Sequence, residues 1–338
     1  MHDLPPFGLD AVISGARLNL GWTVVGLVLL VGYLTAFTRA RANRVGATRA
    51  TCFVAGVLVL VATVSSGVDS YAMSVFWVHM IEHLLLIMVV PMLLVLGHPL
   101  TVTAQALSDR GRERFDLFVR TGPVALLTSP LIGLAAYAAV IVGTHLTGFM
   151  DSMAAHGWLM PVEQAMYVVS GWLLLLTLIG DEPVRWRLPY LSRVLLLLVA
   201  MVPDTVVGIV LLQSNHVLFP TFMSKRPGWA PDAVADQQVA GGLMWAAGDG
   251  LMMAVAVAVV IFMISDTQHG RVIGPWLESV RRQTLADHVG GGSPARNGPV
   301  QPDGEAFASE ADVDEDDDVL DAYNRMLARL SDQERRTS

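Results

Sequence analysis

Residues 77–96 read WVHMIEHLLLIMVVPMLLVL, and this stretch decides the fold class. Apart from Glu82 and the two histidines His79 and His83, the side chains of this stretch are apolar. A helix of about 20 apolar residues crosses the hydrocarbon core of a bilayer. Because backbone groups in lipid must be hydrogen-bonded within the protein, the stretch predicts a membrane-spanning α-helix.

Six other stretches are long and apolar enough to do the same. With the first they predict seven spans, at residues 18–37, 50–68, 77–96, 123–145, 161–180, 192–213 and 240–264. The predicted fold is therefore an all-α integral membrane protein, a bundle of seven transmembrane helices. Residues 1–17 precede the helical domain of 18–270, and residues 271–338 form a tail.

The composition of the chain supports a lipid environment. Of the 338 residues, 53% are hydrophobic and 15% are charged, whereas a soluble domain has about 25% charged residues. The acidic charge is concentrated in the tail, since 12 of the 30 carboxylates lie in 303–338. The Gly/Pro/Ser-rich linker 290–304 and the acidic run 312–318 predict disorder. Residues 320–330 predict a short amphipathic helix that either docks or frays.

The arginines predict the orientation of the helices. Four arginines follow the first span, four follow the third, and others follow the fifth and seventh, at Arg39, Arg41, Arg44, Arg49, Arg110, Arg112, Arg114, Arg120, Arg185, Arg187, Arg271, Arg281 and Arg282. The opposite loops hold only Arg17, Lys225 and Arg226. Since basic loops stay in the cytoplasm, the pattern predicts an extracytoplasmic N-terminus and a cytoplasmic C-terminus. The expected location is a bacterial plasma membrane.

Five histidines gather at the predicted outer ends of the spans. His79 and His83 are four residues apart in the third span, so both imidazoles project from one helix face. His145 ends the fourth span, His156 lies in the next outer loop, and His216 follows the sixth span. Methionines occur at the same level, at Met73, Met80, Met150, Met153, Met160, Met166 and Met244. Imidazole with thioether and no thiolate suits copper, with Cu(I) favoured.

Carboxylates within the spans are the second polar feature. Asp204 and Asp249 lie near the middle of the sixth and seventh spans, Glu82 lies between the paired histidines, and Glu163 begins the fifth span. An ionised group at bilayer depth costs at least about 2.5 kcal/mol, so these groups are expected to face the bundle. They can orient the imidazoles by hydrogen bonding, form steps of an ion or proton path, or satisfy one another.

Several other functional classes fit the pattern less well. The HMIEH sequence at 79–83 matches the HxxEH motif of inverted zinc proteases, but it begins a continuous apolar helix. The single lysine, Lys225, lies outside the spans and excludes a Schiff base within them. The arginines are spread among loops, so no nucleic-acid partner is expected. The single cysteine, Cys52, excludes an intrachain disulfide and a paired-cysteine site. Bis-histidine haem ligation remains open.

Three ordered blocks resemble the multi-pass CtaG family, the bacterial assembly factors of caa3-type cytochrome c oxidase. They are HMIEHLLLIMVVPMLLVLGHPL (79–100), RLPYLSRVLLLLVAMVPDTVVGIVLLQSNHVLFP (187–220) and DQQVAGGLMWAAGDG (236–250). The segment AYNRMLARL (322–330) is similar to the end of actinobacterial members. The resemblance places His79 and His83 in the HMxxH motif of the family. It places Asp236, Gln237, Gln238 and Asp249 in the block of the seventh helix, and it implies an amide where Glu82 stands.

The resemblance implies a role in the maturation of haem–copper oxidase, with oxidase subunits as partners and copper handled at the outer face. The expected ligands are His79 and His83, with His145, His216 and His156 as further candidates. Glu82, Asp204, Asp249 and Asp236 are expected to support them. No enzymatic activity is expected. A copper or proton transporter, a metal-free assembly scaffold and a membrane metalloprotease are the alternative functions.

Overall fold

The computed structural model describes residues 4–40, 46–179 and 182–265. The predicted tail, its acidic run and its short helix at 320–330 lie outside these ranges, as do Arg41, Arg44, Arg271, Arg281 and Arg282. The chain through Ile261 forms one compact unit, and only the first residues of the second unit, Phe262–Ser338, are described. Every regular element in the described part is helical, which confirms the all-α prediction for those residues.

Six described helices are each long and apolar enough to cross a membrane, and a bent helix pair makes a seventh if the pair is counted as one span. We number the seven in chain order: α1 Leu20–Arg39, α2 Ala47–Ser65, α3 Phe76–Ala106, α4 Pro130–His145, α5 Leu159–Leu178, α6 Tyr190–Gln213 and α7 Ala233–Ile264. After a 65° bend, α4 is followed by the short helix Phe149–Ala155. We call the end of the bundle where α1, α3, α5 and α7 begin the histidine end.

The ends of the helices differ from the sequence-based boundaries where a capping group is present. The predicted span 123–145 is interrupted, because Gly122–Leu127 is a separate short helix. Ser129 accepts a hydrogen bond from the Ile132 amide, and Pro130 occupies the first turn of α4. A serine cap followed by proline starts a new helix, which the hydropathy of the stretch does not register.

The seventh helix begins earlier than predicted. It starts at Ala233 rather than near 240, because the Asp232 carboxylate accepts a hydrogen bond from the Val234 amide. Asp236 and Gln237 are therefore helical residues, and both are fully buried. The polar DQQ segment belongs to the packed end of the bundle and not to a solvated loop.

The third helix lies at the centre of the bundle and is the most buried of the long helices, whereas α1 is the least buried. It packs against α2, α5 and α7. A π-helical turn interrupts it at Leu85–Val89, where Val90 N donates to the Leu85 carbonyl. Pro91 explains the turn, since it has no N–H to bond the carbonyl four residues earlier, at Ile87. That carbonyl packs against Gly171 of α5, where a Cβ atom would lie 1.9 Å from it.

At the end opposite to the histidine end, a buried glutamate caps the last segment of α3. His98 adopts a left-handed conformation (φ 49°), and the helical segment Pro99–Ala106 follows it. Glu182 Oε1 accepts from Leu100 N at 3.1 Å, and Oε2 accepts from Thr101 N and Thr101 Oγ1 at 2.8 and 2.7 Å. Burial raises the pKa of Glu182, and these hydrogen bonds oppose the rise.

Candidate functional site

His79, the first of the predicted ligands, is positioned by the start of α3. Asp236 of α7 accepts hydrogen bonds from Phe76 N and Trp77 N, each at 3.0 Å. These are the first two residues of α3, whose amides have no partner within the helix. Asp236 was expected to support the imidazoles by hydrogen bonding, but it binds the backbone and so positions His79 through the helix itself.

His79 and His83 project into the interior of the bundle. They are 2% and 1% exposed. None of their four ring nitrogens has a hydrogen-bond partner among the described residues. A buried polar atom without a partner is rare and calls for an explanation such as a bound ion. Phe76 stacks on His79, with ring centroids 5.9 Å apart and planes at 16°.

His145 brings a third imidazole to the same place from α4. It is fully buried, and its ring centroid lies 5.1 Å from that of His83 and 6.2 Å from that of His79. These contacts place the three rings in one group, within the 10 Å that a common site requires. We call His79, His83 and His145 the imidazole cluster. It joins residues that are far apart in the chain but close in depth.

The hydrogen bonds of His145 indicate which of its nitrogens is free. Its Nδ1 lies 3.1 Å from the Ile141 carbonyl, which can only accept a hydrogen bond. Nδ1 also lies 2.8 Å from Thr144 Oγ1, which donates its own proton to the Val140 carbonyl. The network therefore assigns the ring proton to Nδ1. The buried Nε2 carries the lone pair and has no partner among the described residues.

Two residues of α5 complete the surroundings of the cluster. Glu163 Oε1 lies 3.7 Å from His79 Nε2 and accepts a hydrogen bond from the Tyr167 hydroxyl at 2.8 Å. The Tyr167 ring meets His83 edge-on at 4.3 Å, and its hydroxyl lies 3.3 Å from Thr144 Oγ1. Sequence reasoning noted Glu163 as a buried acid and missed Tyr167. The four-residue spacing of the two, which places them on one face of α5, is the signal that could have found it.

Aromatic side chains close the cluster at the histidine end. Phe219 and Phe222, from the segment between α6 and α7, contact Phe76 with ring centroids 5.3 and 5.6 Å apart. Phe222 also contacts His79 at 6.0 Å. The amide of Phe222 donates to Asp151 Oδ1 at 3.1 Å, which holds this segment against the helix that follows α4. The imidazoles are thereby shielded from solvent.

The two remaining candidate ligands lie outside this group. His156 and His216 are exposed. The Nδ1 atom of His156 lies 3.1 Å from the Ser152 carbonyl of its own helix. His216 contributes its backbone carbonyl, which accepts hydrogen bonds from Ser214 Oγ and from Gln237 Nε2. The structure thus brings together three of the five predicted imidazoles.

Three predicted supporting acids do not bond an imidazole. Glu82 Oε1 accepts a hydrogen bond from Gln164 Nε2 at 2.7 Å. Deeper in the bundle, Asp204 Oδ2 accepts one from the Tyr137 hydroxyl at 2.8 Å. Asp249 Oδ2 accepts one from Thr205 at 2.6 Å. Each acid keeps one buried oxygen with no partner among the described residues. Glu82 belongs to a polar group beside the cluster, whereas Asp204 and Asp249 belong to a second group towards the middle of the spans.

The geometry of the cluster can be compared with that of a metal site. Two imidazoles on one tetrahedral ion have centroids about 5 Å apart, since the metal–nitrogen distance is about 2.0–2.1 Å. The His83–His145 pair, at 5.1 Å, fits this separation, whereas His79–His145, at 6.2 Å, is too wide. In this conformation no three His, Cys, Asp or Glu side chains of the described ranges are arranged to hold a metal ion. The His79–His145 separation would have to decrease by about 1 Å before both imidazoles could bind one tetrahedral ion.

Thioethers are buried at the same end of the bundle. Met80 in α3 and Met150 and Met153 in the helix after α4 are fully buried, and Met160 at the start of α5 is nearly so. Thioether sulfur is a soft donor that favours Cu(I) over harder ions. The donors buried at this end are therefore imidazole nitrogen, thioether sulfur and the carboxylate oxygens of Glu163 and Glu82.

Comparison with known proteins gives the family. The profile of the cytochrome c oxidase caa3 assembly factor family (Caa3_CtaG) matches residues 31–266, which is most of the chain. Uncharacterized proteins Mb0105 of Mycobacterium bovis and MT0111 of Mycobacterium tuberculosis are 29% identical over 341 residues, covering 98% of this chain and 47% of theirs. Uncharacterized protein ML1998 of Mycobacterium leprae is 29% identical over 317 residues, with 90% and 43% covered.

The chain thus spans about half the length of these curated relatives. No solved structure matches it. The family profile covers all seven helices apart from the first half of α1, and it includes every residue of the imidazole cluster. The chain therefore belongs to the family of cytochrome c oxidase caa3 assembly factors.

Proposed function

We propose that this protein binds Cu(I) at the imidazole cluster and delivers it during the assembly of cytochrome c oxidase. The observation that carries the proposal is the set of five buried imidazole nitrogens that have no hydrogen-bond partner among the described residues. Burying polar atoms without partners costs free energy, and a soft cation bound by nitrogen lone pairs would offset that cost. The assembly role of the family supplies a use for the copper.

The proposed ligands are His79, His83 and His145. Nδ1 of His145 is held by the Ile141 carbonyl and by Thr144, an arrangement that orients metal-ligating histidines in other proteins. Glu163 lies beside His79 and would balance the charge of the cation. A site in which His79 must move before it closes suits a protein that must load its cargo and release it again.

The proposed location follows from the arginines. With basic loops in the cytoplasm, the histidine end faces the extracytoplasmic side of a bacterial plasma membrane. Copper would then be received and passed on at the outer face, where the partners would be oxidase subunits. The protein would act as a binding and delivery factor and not as an enzyme.

Copper analysis of the purified protein tests this function. The full chain is loaded with Cu(I) under anaerobic conditions in detergent, freed of excess metal and compared with His79→Ala/His83→Ala. We expect stoichiometric copper in the wild type and near-zero copper in the variant. Equal, near-zero copper in both proteins would refute copper binding and favour a metal-free assembly scaffold.

A second candidate function is the movement of copper or protons across the membrane. One observation favours it: Asp204 is fully buried in α6, and its Oδ1 atom has no partner in the described part of the chain. Acids of this kind in membrane proteins mark ion pathways. Uptake of copper or protons by vesicles containing the purified protein, lost in Asp204→Asn, would support transport over delivery.

The HxxEH hydrolase alternative receives less support. A zinc protease uses the glutamate of the motif as a base towards a metal-bound water. Glu82 instead accepts a hydrogen bond from Gln164, on the α5 side of the helix. A peptide substrate would also have to reach imidazoles that lie beneath Phe219 and Phe222.

A further inference from the structure

The shielding of the imidazole cluster raises the question of how an ion reaches it. The aromatic rings of Phe76, Phe219 and Phe222 close the direct route from the histidine end. A cation crossing that layer would have to displace the apolar rings of Phe76, Phe219 and Phe222. A polar route beside the layer would avoid this cost.

A row of hydrogen-bonded polar side chains lies on the α5 side of the cluster. Gln164 Nε2 donates hydrogen bonds to Asp69 Oδ1 and to Glu82 Oε1, both at 2.7 Å. Its Oε1 accepts a hydrogen bond from Trp22 Nε1 at 2.8 Å. The amide of Gln164 thus lies between two carboxyl groups, which is the position a cation would take between two acids.

The two carboxyl groups differ in their access to solvent. Asp69 lies in the short helix Gly67–Ala72 at the histidine end and is partly exposed. Glu82 is buried, and its Oε2 atom has no hydrogen-bond partner among the described residues. Because Asp69 is partly exposed and Glu82 is buried, the row Asp69–Gln164–Glu82 leads from the surface into the bundle. The oxygen without a partner belongs to Glu82, the inner acid.

The row continues to the imidazoles. Glu163 directly precedes Gln164 in α5, and its Oε1 lies 3.7 Å from His79 Nε2. Carboxylate oxygens attract Cu(I) electrostatically but bind it weakly, because the ion prefers softer donors. Weak ligands that lead to strong ones suit transit to the cluster rather than storage along the way.

We propose that Asp69 and Glu82 form the port through which the monovalent copper ion passes to the imidazole cluster, with Gln164 as the side chain that must turn aside. This port rests on the proposed copper-binding function and adds the route to it. Asp69 provides the outer charge that raises the local concentration of the cation, and Glu82 passes the ion inward.

The test is the rate of copper uptake. The full chain in detergent is mixed with Cu(I) held by a chromogenic chelator, and the loss of the chelator colour is followed with time. We expect Asp69→Asn to load about tenfold more slowly than the wild type, because charged clefts speed association by factors of 10 or more. The final amount of copper should be unchanged, since Asp69 is not a ligand. Asp69→Glu, which keeps the charge, should restore most of the rate.

The matched control is Asp10→Asn. Asp10 is an exposed acid in the short helix Leu9–Ser14, also at the histidine end, and its loss should leave the rate unchanged. Equal rates in the wild type and in Asp69→Asn would refute the port and leave copper binding intact. A lower final copper content in Asp69→Asn would also overturn it, by making Asp69 part of the site. A wild type that takes up no copper refutes the proposed function, and the port with it.

Discussion

The ring of His83 in α3 lies 5.1 Å from the ring of His145 in α4, centroid to centroid, with the planes inclined at 68°. These residues are 62 positions apart in the chain, and both are buried. The contact joins a helix that enters the bundle at the histidine end to one that ends there. The proposed copper binding would depend on that pair and on His79.

His145→Ala is predicted to lose most of the bound copper, because the variant keeps only the two ligands of α3. His156→Ala is the matched control, since its exposed imidazole lies outside the cluster. Metal analysis of both purified variants checks the prediction. X-ray absorption of the loaded wild type should show nitrogen scatterers that decrease in His145→Ala. Equal copper loss in the two variants would contradict the assignment of the site.

Glu82→Gln is predicted to retain the full amount of copper at equilibrium. The Gln164 amide can still donate to the side-chain oxygen at position 82, so the local packing is preserved. A hydrolase with Glu82 as its base would instead lose its activity in this variant. Copper content and peptidase activity are measured on the same preparation. Peptide cleavage by the wild type that disappears in Glu82→Gln would support the protease alternative.

Asp236→Ala is predicted to destabilise the protein by about 3 kcal/mol, because two charge-assisted hydrogen bonds to the start of α3 are lost in a buried place. Copper affinity should fall as well, since the first turn of α3 carries His79. Asp232→Ala is the control. It removes the cap of α7 and should cost only about 1 kcal/mol. Thermal unfolding in detergent compares them, and an equal loss in both variants would contradict the special role of Asp236.

The stability of the protein is predicted to depend on pH through Asp69. Burial raises the pKa of the Asp69 carboxyl, and the hydrogen bond from Gln164 opposes part of the rise. The folded state therefore holds the proton more tightly than the unfolded chain, in which the pKa is about 3.9. The resulting stabilisation is complete below the unfolded pKa and is lost as the pH rises through the folded value.

Asparagine does not titrate, so Asp69→Asn should melt at a higher temperature than the wild type at neutral pH. The difference should shrink as the pH falls and should vanish below about 3, where aspartate is protonated in both the folded and the unfolded state. Melting temperatures across this range check the sign. A lower melting temperature for Asp69→Asn at neutral pH would contradict it. Asp10→Asn serves as the exposed control.

Gly171→Ala is predicted to prevent normal packing of α5 on α3. Its Cβ would lie 1.9 Å from the Ile87 carbonyl at the π-helical turn, so a backbone shift is required. Overpacking of this kind costs about 3 kcal/mol or more. Gly143→Ala in α4 has open space around its Cβ and should change stability by less than about 1 kcal/mol. Yield and melting temperature of the two variants provide the comparison.

The helical architecture could be predicted because membrane insertion is decided by local composition. About 20 apolar residues in a row satisfy the bilayer wherever they occur in the chain. The largest differences between prediction and structure lie where a cap or a proline acts, at Ser129–Pro130, at Asp232 and at Pro99, after which the third span continues to Ala106. Hydropathy averages over such single residues, so the separate helix Gly122–Leu127 and the early start of α7 were missed.

The candidate site could be predicted only in part. The spacing of His79 and His83 places them on one face, and common depth suggested that His145 would join them. The same argument included His156 and His216, which the structure leaves exposed. Depth alone does not say which way a side chain at a helix end points. Tyr167 and Gln164 were missed because their roles arise from contacts between helices, with His83, Asp69 and Glu82.

The sequence by itself determined that this chain forms apolar helices and that histidines gather near one end of them, because both properties depend on which residues are near one another along the chain. Only the tertiary structure decided that three imidazoles meet in a buried group. It also decided that Asp236 starts α3 and that Gln164 joins Asp69 to Glu82. These contacts depend on how each helix is rotated about its axis, and packing against neighbouring helices sets that rotation.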